Sequence, residues 1–327
     1  MADVMEMSTW SGELGLPSIS VASLEVIAYA KFSGCPIKVN KHNNPWKSPT
    51  WQLPVFRSGD KILTSSRKIM DFLREQNFNA DYQLTAKQGA DTLAFMALIE
   101  DKFYPALQYW LWGDVSNYSE FTRALYAKRL PIPLSFIIPG QMAKVGKYVA
   151  TKSLEIEEQN ETAFENKIFN DALQCLKHLS IQLGDKPFFF GESPTTLDAV
   201  VFAHIAIVWR APPLPNNKLK LHLSGFENLI AFCSRILQRY FPYNPEDPPQ
   251  ETKPKPTATT LDEDPYQRRK MLLSVGFAAL VMTGYALFSG LVQFNVTTED
   301  EFVDKRNEEL KDFPNGHFNV EYENEEE

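Results

Sequence analysis

Along the first 80 residues, apolar positions come in short runs broken by turn residues, and the period of the runs alternates. Val4 to Thr9 reads as a strand, Ser20 to Phe32 as a helix closed by Gly34, and Pro36 to Val39 as a second strand. Leu53 to Phe56 and Lys61 to Leu63 flank the turn Ser58-Gly59-Asp60 and read as a hairpin. A helical pattern then runs from Ser66 to Gln76. Pro54 stands just before a strand and is a candidate cis proline, a bond type kept where a tight turn needs it.

This order of elements predicts a thioredoxin-like domain over residues 1–80. From Thr85 the period becomes helical. Thr85 and Gln88 have capping-box spacing ahead of an apolar face at Leu93, Met96, Ala97, Tyr104, Leu107 and Leu111. Further helices are expected over 118–128, 162–183, 197–210 and 223–240, giving an all-helical domain over residues 81–242. Thr195 and Asp198 sit in reciprocal capping positions, so Asp198 is read as a structural cap whose carboxylate takes up orphan N–H groups, and not as a catalytic acid. The stretch Leu130 to Gly140 is broken by Pro131, Pro133 and Pro139 yet strongly apolar. It is read as a loop that either packs back on the bundle or offers an interface through Ile132, Leu134, Phe136, Ile137 and Ile138.

Beyond Tyr243 the pattern changes twice. Prolines at 245, 248, 249, 254, 256 and 265 among charged residues predict an extended linker over 243–267. No charged residue then occurs from Met271 to Thr298. An apolar run of that length crosses a hydrocarbon core about 30 Å thick as one helix, so a transmembrane anchor is expected over 268–296. Its apolar positions are Met271, Leu272, Leu273, Val275, Phe277, Leu280, Val281, Tyr285, Leu287, Phe288, Leu291, Val292 and Phe294. Arg268, Arg269 and Lys270 precede the span, and Glu299, Asp300 and Glu301 follow it. The positive-inside preference therefore puts the globular part in the cytosol and the tail across the membrane.

Charge sharpens this division. The formal charge is −8, but residues 297–327 hold twelve acids against three bases, a local −9, so everything before them sums to +1. An acidic, disordered tail follows from that composition. No basic stripe with interleaved aromatics occurs in the folded part, which argues against nucleic acid as a partner. Cys35, Cys175 and Cys233 are odd in number, far apart and set in apolar stretches, the pattern of buried thiols and not of a disulfide framework. The five histidines form no pair with the cysteines at metal-ligand spacing. The first 20 residues lack Lys, Arg and a continuous apolar stretch, so neither a signal peptide nor an Arg-rich presequence is expected there.

A thioredoxin-like domain followed by a helical bundle, with Gly191 to Asp198 arranged as described, resembles the glutathione transferase fold. The segments Trp10-Ser11-Gly12, Gly15-Leu16-Pro17-Ser18, Asn44-Pro45-Trp46, Asn79-Ala80-Asp81-Tyr82, Gln88 to Phe95 and Phe188-Phe189-Phe190-Gly191 resemble those of the metaxins. So does Tyr285 to Gly290 in the anchor. The likeness covers about residues 5–242 and continues into the anchor, which points to the tail-anchored type. The resemblance implies a non-enzymatic subunit of the mitochondrial outer-membrane machinery that sorts and assembles β-barrel proteins. Its implied partners are a second metaxin, the barrel-forming core subunit, β-barrel precursors and the lipid bilayer.

Two other readings stay open. One is a cytosol-facing adaptor or tether on mitochondria. The other is a glutathione transferase, which needs a hydroxyl or thiol for the thiolate, a proline-defined backbone edge and a carboxylate for the tripeptide's ammonium. Ser8, Thr9 or Ser11 could supply the hydroxyl and Pro54 the edge. Ser65-Ser66, however, stands where glutathione-binding relatives carry an acid followed by serine. The ammonium would thus be desolvated without its charged partner. The sequence therefore points to no catalytic, cofactor-binding or metal-binding set, and weak or no glutathione binding is expected.

Overall fold

The protein is described here from a computed structural model. It covers residues 4–242 except 42, 44, 46, 47, 51, 52 and 153–160, and beyond them residues 276, 277, 281 and 282. The sheet comes first. Strands β1 (Glu6–Thr9), β2 (Lys38–Lys41), β3 (Val55–Ser58) and β4 (Lys61–Leu63) lie in the order β2-β1-β3-β4. β1 runs parallel to β2 with Met7 opposite Val39, and antiparallel to β3 with Met7 opposite Phe56. Helix α1 (Val21–Ser33) makes the crossover between β1 and β2. Ser20 caps its start, accepting from the Ser23 N–H, and Gly34 ends it at φ +69°, a left-handed conformation that glycine adopts without a Cβ penalty. Helix α2 (Ser66–Glu75) follows β4 and completes the thioredoxin-like order. The Leu53–Pro54 bond is cis, as the position of Pro54 led one to expect, and so is Ile132–Pro133.

Several predicted boundaries shift. The first strand starts at Glu6, leaving Val4 exposed, and the second starts at Lys38 because its register is set by pairing with β1. Helix α3 (Ala86–Leu98) has the predicted Thr85–Gln88 capping box, but its inward face differs from the expected one. Leu93 is exposed, and burial passes through Thr92, Met96, Ile99 and Phe103. That row keeps ordinary helical spacing, and Thr92 can take the inward place because its hydroxyl donates to the Gln88 carbonyl at 2.8 Å. A π-helical turn follows at Ile99–Phe103, ahead of Pro105, whose ring nitrogen cannot donate a backbone hydrogen bond. After α4 (Tyr104–Gln108), further π turns at Tyr109–Gly113 and Tyr118–Thr122 flank α5 (Val115–Asn117) and lead to α6 (Arg123–Ala127).

The remaining helices are α7 (Leu134–Lys152), α8 (Glu161–Leu183), α9 (Thr196–Arg210), α10 (Lys218–Ser224) and α11 (Glu227–Tyr240). The single helix expected over 223–240 is thus two, separated at Gly225-Phe226. α9 is the centre of the bundle, buried continuously from Thr196 to Val208, and it packs against α1 of the thioredoxin-like layer. An all-round apolar helix has no face to give to water, and surrounding helices supply the burial. Met1–Thr252 form one compact unit.

Candidate functional site

Thr9 and Ser11, two of the hydroxyls predicted for a glutathione-type site, are bonded within the protein. The Thr9 hydroxyl is buried, donating to the Trp10 carbonyl at 3.2 Å and lying 3.1 Å from the Ser18 hydroxyl. Ser11 donates its N–H to Asn43 Oδ1 at 2.8 Å, and its hydroxyl accepts from Arg129 Nε at 3.0 Å. Arg129 reaches across from the end of α6 and also donates to the Gly12 carbonyl and the Glu13 carboxylate. Its side chain is only 7% exposed, so its charge needs Glu13, which Lys128 also holds. Those cations hold the Glu13 carboxyl below the usual carboxylate range against the opposing effect of burial. Ser8 lies within β1, paired with β2 and β3. Ser65 takes the N-cap position of α2 but makes no side-chain cap bond.

Beside Ser65 lies a polar cluster that the sequence reading missed. A cavity of about 370 Å³ between α1, α2, the α3–α4 run and α9 is lined by Glu25, Ser66, Arg67, Glu100, Tyr104 and His204 among others. Burial raises the Glu25 carboxyl to about 7, opposed by the Ser66 hydrogen bond and by Arg67. Burial lowers His204 to about 4. His204 Nδ1 lies 2.8 Å from the Val200 carbonyl and 3.7 Å from Glu25 Oε1. A carbonyl can only accept, so the proton sits on Nδ1, and the pair is a neutral imidazole beside a carboxyl rather than an ion pair. The signal was present in sequence as one acid inside the apolar run of α1 and one histidine inside the apolar run of α9. A second, more exposed junction ties α2 to α9: Asp81 accepts from the Thr196 N–H at 2.8 Å, and Arg74 donates to the Thr196 hydroxyl at 2.9 Å. Arg74 also pairs with Asp71 and Asp81 and lies over the Tyr29 ring.

The predicted interface stretch is not a loop. Helix α7 begins at Leu134 and runs through Pro139, whose ring is buried. This separates the five named residues: Leu134 and Ile138 pack inward, while Ile132, Phe136 and Ile137 stay exposed. The inward row Leu134, Ile138, Met142, Gly146 and Ala150 recurs every four residues and seats α7 on the Tyr109–Gly113 turn. At Gly146 a Cβ would lie 2.6 Å from Trp112 Cβ, so glycine is what lets the two backbones approach. Of the predicted anchor, Phe277 and Val281 are described, both helical and exposed. The other anchor residues, the flank Arg268, Arg269 and Lys270, the linker and the acidic tail lie outside the described residues. Among the described residues no helix is long and apolar enough to cross a membrane.

With this geometry in view, comparison with curated proteins is decisive. The chain is 44% identical to mouse "Metaxin-1" over 302 residues, 91% of this chain and 94% of the relative. The chain belongs to the metaxin family. Zebrafish "Metaxin-3" is 43% identical over 74% of this metaxin and 77% of its own length. The "Metaxin-1 homolog" of Caenorhabditis briggsae is 30% identical over 90% and 99%. A family model described as "outer mitochondrial membrane transport complex protein" matches residues 23–143, and a glutathione S-transferase C-terminal domain model matches 172–236. Among solved structures, a β-etherase from Sphingobium aligns over 72% of this metaxin and 96% of itself, at 14% identity and a TM-score of 0.47. Family membership and the transport-complex match give this metaxin a role in a mitochondrial outer-membrane transport complex, and they point to a subunit rather than an enzyme.

Proposed function

We propose that this metaxin is a non-enzymatic, tail-anchored subunit of the machinery that sorts and assembles β-barrel proteins in the mitochondrial outer membrane. In this reading the globular part faces the cytosol, residues 271–294 hold it in the bilayer, and the acidic tail reaches the intermembrane space. It works with a second metaxin and the barrel-forming core subunit on β-barrel precursors. The observation that carries the reading is the 44% identity over nearly the whole chain, which extends past the globule. The hydrogen bonds that hold the Thr9 and Ser11 hydroxyls within the protein support a binding role over thiol chemistry.

Two experiments test it. In mitochondria depleted of the protein, assembly of a radiolabelled β-barrel precursor into its mature complex should fall, and re-expression should restore it. Unchanged assembly with altered organelle transport or positioning would favour the adaptor reading. Protease added to intact mitochondria should remove an N-terminal tag and spare a C-terminal one until the outer membrane is ruptured. Protection of both tags would place the globule inside and remove the proposed topology.

A further inference from the structure

Helix α7 divides its surface in two. Its inward row is fully used, whereas the opposite side presents Phe136, Ile137, Val145 and Tyr148, each more than half exposed. Ile132, just before the helix, adds a fifth exposed apolar side chain. At 3.6 residues per turn, Ile137, Gln141, Lys144 and Tyr148 fall on one line, with Phe136 and Lys147 on one flank and Val145 and Lys152 on the other. All three lysines are exposed, and Lys152 Nζ lies 5.8 Å over the Tyr148 ring.

The charge on this face is one-sided. α7 carries Lys144, Lys147 and Lys152 and no acid, and from Arg123 to Leu154 the sequence contains none. Of the other described helices of at least ten residues, α2, α3, α8 and α11 carry acids that reach solvent, whereas Glu25 of α1 and Asp198 of α9 are buried. The next acids in the sequence are Glu155, Glu157 and Glu158. Aliphatic and aromatic groups interleaved with lysines, without acids, match a surface where apolar side chains enter the acyl boundary and ammonium groups remain at the headgroups. A protein partner of ordinary mixed charge would not call for this bias.

We propose that the outward face of α7 is a peripheral membrane-binding surface that rests on a bilayer carrying anionic headgroups. The contact is separate from the C-terminal anchor and does not depend on it. Phe136, Ile137, Val145 and Tyr148 supply the apolar contact, and Lys144, Lys147 and Lys152 supply charge complementarity. Each lysine near an anionic surface is worth about 1 kcal/mol, close to fivefold in affinity.

The test uses the full chain reconstituted into phosphatidylcholine vesicles with and without phosphatidylserine. Cys35, Cys175 and Cys233 are all buried, so a thiol-reactive, environment-sensitive dye can be directed to Tyr148→Cys, with Ile181→Cys on α8 as the exposed control. The dye at 148 should shift to the blue and be quenched by brominated lipid only in vesicles containing phosphatidylserine, while the dye at 181 should do neither. Lys144→Glu with Lys147→Glu should lower the ratio of lipid-shielded to exposed dye at a fixed phosphatidylserine content about tenfold or more. Lys144→Gln with Lys147→Gln and a salt titration give the same readout should the double reversal perturb folding. A dye at 148 that stays in water in both vesicle types overturns the proposal. Shielding that appears only when solubilised outer-membrane protein is added, or without any lipid, overturns it in favour of a protein-docking or self-association face. Vesicle flotation reads the C-terminal anchor independently, so failure of that reading and failure of this one are distinguishable.

Discussion

Asp198 offers a quantitative test of how burial and hydrogen bonding compete in the centre of the bundle. Its Oδ1 accepts from the Phe189 N–H at 3.0 Å, and its Oδ2 from the Thr195 N–H at 2.8 Å and the Thr195 hydroxyl at 2.7 Å. Those donors favour the carboxylate, yet desolvation is larger and raises the carboxyl from 3.8 to about 6. The perturbation is Asp198→Asn, which keeps the shape and removes the titration. One side of the amide cannot accept, so at least one buried donor loses its partner, and the variant should be about 1–3 kcal/mol less stable at pH 7. The folded-state value is raised, so the folded chain binds a proton that the unfolded chain releases between pH 6 and pH 4. Wild-type stability from this group therefore grows as pH falls. A shift of about two units is worth roughly 3 kcal/mol, and the gap between wild type and Asp198→Asn should widen by about that much from pH 7 to pH 4. Urea unfolding followed by tryptophan fluorescence measures it, since all six tryptophans precede the linker. A gap that stays constant or narrows as pH falls would show that the three donors outweigh burial, and the reasoning would be wrong.

Other perturbations probe the remaining packing. Gly146→Val should lower stability by about 2 kcal/mol or more, read as a fall in melting temperature, because the new Cβ meets Trp112 across two backbones. Gly140→Ala, where nothing lies within 4 Å of the added carbon, should instead raise stability by about 0.5–1 kcal/mol. For Glu25, raised to about 7, stability from the neutral carboxyl is present at low pH and lost as pH rises through 7. Wild type should lose roughly 3 kcal/mol between pH 5 and pH 8 relative to Glu25→Gln, and parallel urea midpoints for the two proteins would contradict this. Arg74→Ala should cost about 1–3 kcal/mol and speed hydrogen exchange at the Thr196 amide, whose N–H Asp81 accepts.

Much of the fold was legible because local chemistry and global packing agree. Ser20 and Gly34 bound α1, Thr85 and Gln88 open α3, and Thr195 and Asp198 open α9, each by satisfying backbone groups that any helix end leaves free. Two segments were less legible. In α3 the buried row passes through Thr92, whose hydroxyl is satisfied by the Gln88 carbonyl, and at Leu134 the helix continues through Pro139 because tertiary packing on Trp112 outweighs the propensity that marked a loop. Split burial within Ile132 to Ile138 could not be read while that stretch was taken as irregular, since the face a residue presents depends on the period.

The sequence by itself determined the two-layer order of strands and helices, the capped ends of α1, α3 and α9, the buried thiols and the family. These are properties of short windows, where spacing, turn residues and capping chemistry act within a few residues. Tertiary structure alone decided that Arg129 fills the space beside Ser11, that Glu25 meets His204 across 179 residues of chain, and that α7 turns its lysines and apolar residues outward together. Each of these depends on which distant element supplies burial, and burial governs whether a charge is paired, neutralised or left facing outward.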